Sequence, residues 1–237
     1  SLYASSISGY RVALQVSGSS NNDLSLQPFA GKVVIGATSP ITVVGFNPPK
    51  FSVEGTAFTG VMSVIEHQND ISGGVISIGK SRGAVPGSVT ILQTDDIVGR
   101  VLFSSADGVD YRTISAEIRT LVGASPAAND VPGHLLFMTN DGSGNDSTER
   151  MRTDSAGSVG FGATPTTFHS TLTGVQIGGN GILQHETSAG AGKTFKIAQN
   201  VREEITSGDF TYISTDEASL IELNGGGVNI RTAPSGT

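Results

Sequence analysis

The stretch GKVVIGATSP at residues 31–40 returns at 157–165 as GSVGFGATP, and both obey one scheme, G-x-V-x-[I/F]-G-A-T followed by proline. Residues 226–234, GGVNIRTAP, give a degenerate copy, and GGVISIG (73–79), GSVTIL (87–92) and GVQIGG (174–179) are weaker echoes. Each phrase pairs a glycine start with alternating β-branched or aromatic residues and a Gly or Pro stop. Val33 and Ile35 are predicted to share one side of a strand, as are Val159 and Phe161, since successive strand residues face opposite ways. The flanking glycines permit positive φ at turns, and Pro40 and Pro165 end the ladder because proline has no N–H to give it. Strands this short do not stand alone, so stacking on neighbours is expected. The copies are irregularly spaced, which argues against a strict solenoid.

Working outward, RVALQV (11–16), VMSVI (61–65), RVLFSS (100–105), HLLFMT (134–139) and FKIAQN (195–200) are short, apolar-rich and bounded by turn residues, as strands are. TISAEIRTLV (113–122) fits two periods: Ile114, Ile118, Leu121 and Val122 at helical spacing, Ile114, Ala116 and Ile118 in alternation. Asp110 or Ser115 would start a helix and Gly123 end one; strand-like neighbours on both sides favour a strand. Pro49–Val53 follows the first phrase and Pro165–His169 the second, each predicted as a turn into a fresh strand. These points divide the chain into β units at 1–47, 48–165 and 166–237.

Composition narrows the function. Charged residues are 15% of the 237, below the ~25% of ordinary soluble domains. The 32 Gly and 9 Pro predict many turns, yet fall short of the share that marks disorder. Aromatics are 6% and Trp is absent, so a single chain has little bulk for a core, and burial of strand faces against identical chains is expected to supply the rest. A net charge of −7 without a Lys/Arg cluster disfavours nucleic acid. No run of 18 apolar residues is present to span a membrane. The opening SLYASSISGYR shows no signal-peptide pattern, and its lack of a starting Met is consistent with a fragment or processed product. Zero Cys excludes disulfides, thiolate metal sites and Cys nucleophiles.

Several motifs resemble active sites without the context those sites need. Gly79-Lys80-Ser81-Arg82-Gly83 matches G-x-S-x-G, but Ala84-Val85-Pro86-Gly87 follows where a nucleophile elbow requires a helix. Gly190-Ala191-Gly192-Lys193-Thr194 resembles the end of a phosphate loop, but Thr187 stands where the first Gly belongs, and a strand-like run follows. Asp141–Asp146 is oxygen-rich like a calcium loop, yet lacks Gly at the sixth position and has Arg152 at the twelfth, so a hairpin tip is expected. His67, His134, His169 and His185 are too dispersed for a local zinc site. The pairs Asp95-Asp96, Glu203-Glu204 and Asp216-Glu217 raise glycoside cleavage, but adjacent strand residues face opposite sides and do not aim at one bond. No catalytic, cofactor or metal residue is assigned, and an enzyme is not expected.

Residues 97–165 carry a resemblance to a known family. Val131-Pro132-Gly133-His134-Leu135-Leu136-Phe137 leads through Asn140-Asp141-Gly142 to Glu149-Arg150-Met151-Arg152, and then to Asp154-Ser155-Ala156-Gly157-Ser158-Val159-Gly160-Phe161-Gly162. This resembles a module of bacteriophage tail-fibre proteins: a P-G-x-L-x-F strand, a polar loop, an E-R-M-R-I-D-S-x-G turn, then G-x-V-G-I-G. GRVLFSSADG and AEIRTLVGASPAANDVPG resemble the same family; Thr153 and Phe161 stand where Ile is common. The resemblance implies an elongated all-β fibre, a homotrimer with intertwined or side-by-side sheets, in the tail appendage of a virion. It implies contact with other tail or baseplate proteins and a role in host attachment. In such a fibre Glu149 and Arg152 would pair across chains; a solvated turn is the plainer expectation. The alternative is a receptor-binding or glycan-cleaving module of a tailspike or a bacterial surface adhesin, contacting a host glycan or receptor, which draws on the polar loop at 140–146.

Overall fold

The computed structural model describes residues 33–35, 43, 51–190, 193–203 and 209–235. The RVALQV run lies outside them, and of the first phrase only Val33–Ile35 is described. Among the described residues the protein is all-β, with no helix. The chain forms two compact units, Ser1–Pro40 with Pro48–Met62, and Ile41–Asn47 with Ser63–Thr237. In the first, β1 (Val33–Ile35) and β2 (Phe51–Val53) pair in parallel, and Glu54 N donates to Ile35 O at 2.8 Å.

The second unit is built on a ten-stranded sheet. Its strands are β3 (Ile97–Ser105), β4 (Thr113–Val122), β5 (Gly133–Thr139), β6 (Thr148–Thr153), β7 (Val159–Phe161), β8 (Leu172–Ile177), β9 (Gly181–Glu186) and β10 (Phe195–Gln199). After β11 (Val201–Glu203) and β12 (Phe210–Tyr212), which pair with each other, come β13 (Ala218–Asn224) and β14 (Gly227–Ala233). The sheet order is β14-β13-β10-β9-β8-β7-β6-β5-β4-β3, so chain order is sheet order apart from the excursion into β11 and β12. All ladders are antiparallel except β7 with β8. Short turns make this meander possible. At the β13–β14 hairpin, Gly225 and Gly226 have φ of +56° and +81°, the two positive values a type I′ turn requires.

The ambiguous run 113–122 is a strand, β4, because β3 and β5 both pair with it. Residues 100–105, 134–139 and 195–199 fall in β3, β5 and β10, as expected. VMSVI (61–65), GGVISIG (73–79) and GSVTIL (87–92) form no strand. Their composition suits a pleated surface, but composition alone makes no ladder. Among the described residues the first two runs make no hydrogen bond, and the third makes only the Arg82 N to Thr90 O and Ser88 N to Val85 O bonds of a local loop besides side-chain contacts.

The second phrase shows why its glycines matter. An added Cβ at Gly160 would lie 2.0 Å from the Ala163 carbonyl oxygen and 2.9 Å from Pro165 Cδ, because the Ala-Thr-Pro tail folds back over β7. Gly160→Ala is therefore expected to destabilise the fold by about 3 kcal/mol, read as a lower urea midpoint with an unchanged m-value.

A small core lies where β11 and β12 cover the β8–β13 part of the sheet. Phe168, Leu172, Ile182, Ala198, Val201, Ala218 and Leu220 form it. Asn200, with no exposed surface and φ of +58°, turns the chain from β10 into β11. Its amide nitrogen donates to the carbonyls of Ser214, Asp216 and Glu217, and its oxygen accepts from the Ser214 amide and hydroxyl. Asn200→Ala combines lost buried hydrogen bonds, at about 1–3 kcal/mol, with left-handed strain of about 1–2 kcal/mol. Asn200→Gly is expected to recover only the strain, a difference that paired urea melts resolve.

Candidate assembly face

Because strand residues alternate, the register sorts the large sheet into two faces. One row across six strands reads Val101, Ile118, Phe137, Met151, Phe161, Ile177. The row beside it reads Leu135, Thr153, Val159, Val175, Leu183, Ile197, Ile221, Ile230. A third, shorter row holds Thr173, His185, Phe195, Leu223 and Val228. This face is apolar almost throughout, and it is the open one: Phe161 is 46% exposed, Ile177 55% and Ile230 73%.

The opposite face has the reverse chemistry. Its central row runs Arg100, Arg119, Leu136, Arg152, Gly160, Gln176, Ile182, Ala198, Leu220, Arg231. Glu117, Gln184, Lys196 and Glu222 lie beside that row, all buried. Glu117 receives paired bonds from Arg100 (2.6 and 2.8 Å) and from Arg119 (2.6 and 2.9 Å), and a third partner, Ser147 Oγ, donates at 3.1 Å. Burial pushes its carboxyl pKa up, but the two guanidinium groups outweigh that and hold it at about 2. Lys196 pairs with Glu203, and Arg231 with Glu222 at 3.1 Å; both cations also lie over the Phe210 ring.

Glu149 and Arg152 pair within the chain, at 2.6 Å on both oxygens, and lie in a strand and not in an open turn. The ladder shifts at Phe137/Met138, leaving Arg150 as an extra residue. The bulge brings i and i+3 to the same face, which regular alternation would keep apart.

The remaining motifs are placed as local structure. Lys80 and Arg82 of the G-x-S-x-G run both bind Asp96, at 2.7 and 2.6 Å, and Ser81 Oγ donates to the Thr90 carbonyl at 3.3 Å. Arg82, then Lys80 and the Gln93 amide, hold the Asp96 carboxyl well below the usual range. Residues 140–146 form the tip between β5 and β6, where Asn140 Nδ2 donates to the Gly144 and Asp146 carbonyls. His134 Nδ1 accepts from Ser155 N, and His169 Nδ1 meets Thr171 Oγ1 at 2.8 Å. Asp95 is exposed in a turn while Asp96 is buried. Among the described residues no group of three or more acidic or His side chains could hold a metal ion. An apolar hollow of about 220 Å³ opens between Val201, Phe210, Leu220 and Ala233.

The apolar face escaped sequence analysis as a single surface, since it exists only once the register is known. Its buried counterpart left a legible trace: Glu117 and Arg119 occupy one side of the 113–122 alternation.

No protein-family model matches the chain, and no curated protein sequence does either. Solved structures similar to it include two from bacteriophage T5. The carboxy-terminal domain of the L-shaped tail fibre aligns over 73% of this chain and 90% of its own, with 9% identity and a TM-score of 0.35. The same domain with its intramolecular chaperone aligns over 73% of this chain and 62% of its own, with 10% identity and a TM-score of 0.36.

Proposed function

We propose that this protein is a structural segment of a bacteriophage tail appendage, a fibre shaft that assembles as a homotrimer and supports host attachment. The observation that carries the reading is the open apolar face. A full aliphatic or aromatic side chain presents on the order of 200 Å², so the exposed fractions along these rows leave roughly 1,000 Å². The largest patch on a typical monomer is about 300–600 Å², and a stable interface takes about 800 Å² from each partner. A sheet that buries its charges on one side and opens its apolar side is incomplete as a single chain. Identical copies meeting apolar face to apolar face about a symmetry axis complete it.

The 97–165 sequence resemblance supplies the setting, a virion tail with other tail or baseplate proteins as neighbours, and a mechanical role without catalysis. Light scattering joined to small-angle X-ray scattering tests the reading. A particle of three 24.2 kDa chains with a rod-like profile is expected; a lone compact chain overturns it and favours an adhesin or enzyme module.

A further inference from the structure

A second surface is also incomplete, and it differs in kind from the sheet face. Every residue from 61 to 80 is exposed. Among the described residues, none of 61–67 or 73–79 makes a hydrogen bond within the chain. The stretch has no helix, strand or turn, and no residue of it is in the left-handed region. Its two apolar runs, GVMSVI (60–65) and SGGVISIG (72–79), have the composition of strands and contain no charged side chain.

We infer that residues 61–79 are an assembly arm, whose backbone is paired, in parallel and in register, by the same arm of a second copy. Three observations favour a copy of this chain as the occupant. The first is area: Val64, Ile65, Ile71, Val75, Ile76 and Ile78 are half to fully exposed and together offer roughly 800 Å², the share a stable interface takes from one partner. The second is charge, because like meets like when identical strands pair, and the two runs bring no repulsive stack together. The third is position. An added Cβ at Gly99 would lie 2.5 Å from Ile78 Cγ2, so the arm's end rests on β3, the edge strand of the sheet. The arm thus adjoins the proposed sheet interface. Gly74 packs against Val64 in the same way, with its Cβ position 2.9 Å from the Val64 carbonyl oxygen and 3.1 Å from Cγ1, which holds the two runs side by side.

The inference rests on the oligomeric reading above, and the test separates the two. Native mass is measured first, then hydrogen exchange on the unmodified protein. Amides of 63–65 and 74–79 are expected to exchange roughly 100-fold or more below unstructured rates, although no described residue of the chain accepts from them. The chain has no Cys, so Ser77→Cys and Ser63→Cys each carry a single nitroxide label. Spin–spin broadening between copies is expected, since identical residues of neighbouring strands lie within about 10 Å. An intact oligomer with freely exchanging arm amides and no broadening overturns the arm and leaves the fibre reading standing. Protected amides without broadening overturn it too, because the occupant is then another segment. A monomeric mass removes both.

Discussion

Replacing Phe137 by aspartate is expected to take the assembly apart while leaving the sheet folded. Phe137 sits mid-row on the open face, with Ile118 opposite on one side and Met151 on the other. It is 38% exposed in the single chain, so an aspartate there stays hydrated and costs little before association. In a trimer closed on that face, each of three copies buries a carboxylate among rows that hold no Lys or Arg, while the bulged Arg150 beside them donates to Thr139 Oγ1 at 2.9 Å. Burying an unpaired charge costs several kcal/mol after relaxation. Even about 4 kcal/mol lowers an association constant roughly 1,000-fold. Light scattering at micromolar chain concentration is expected to give single-chain mass, with a circular dichroism spectrum still dominated by strand. Phe137→Leu keeps the apolar contact and is expected to stay assembled. A Phe137→Asp variant that runs at the original oligomeric mass would show that this face is not the interface.

The logic of that experiment could be read only partly from sequence. HLLFMT and RVLFSS announce strands, and their alternation separates Leu135 and Phe137 from Leu136 and Met138. Which set faces inward is not local information. Leu136 and Met138 are buried while Leu135 and Phe137 are open, and both sets are equally apolar. The choice depends on what the other strands place beside them, namely Arg119, Glu117 and Arg152 on one side and Ile118 and Met151 on the other. The 113–122 run shows the same limit differently. Its residues satisfied helix and strand periods alike, and pairing with β3 and β5 decided the matter.

Residues 61–65 and 73–79 mark the converse case, with a strand composition and no strand. β-propensity describes fit to a pleated neighbour, and the described residues of the chain bring none. The Glu149–Arg152 pair was visible as two charges three apart, but the bulge that joins them was not.

The largest effect inside a single chain is expected from Glu117→Gln. Glu117 is 1% exposed and closes a row of guanidinium groups, binding Arg100 from β3 and Arg119 from its own strand. The carboxylate offers each arginine two oxygens; an amide offers one acceptor oxygen and turns its NH₂ toward a cation. Arg100 and Arg119 then remain beside each other, half-shielded from water, with their anion gone. Removing one partner of a buried pair costs about 3–5 kcal/mol, a third or more of what many domains possess.

The same pair makes stability depend on acid in a fixed direction. The Glu117 carboxyl is lowered from 4.5 to about 2 on folding, so the unfolded chain takes up its proton first as pH falls. The contribution is complete above the unfolded pKa and drains as pH falls from 4.5 toward 2. Urea melts of the two proteins between pH 7 and pH 2 are therefore expected to differ by several kcal/mol at neutral pH and to converge in acid. A gap between wild type and Glu117→Gln that stays constant to pH 2 would assign the loss to packing, and the carboxylate would then carry no special weight in this sheet.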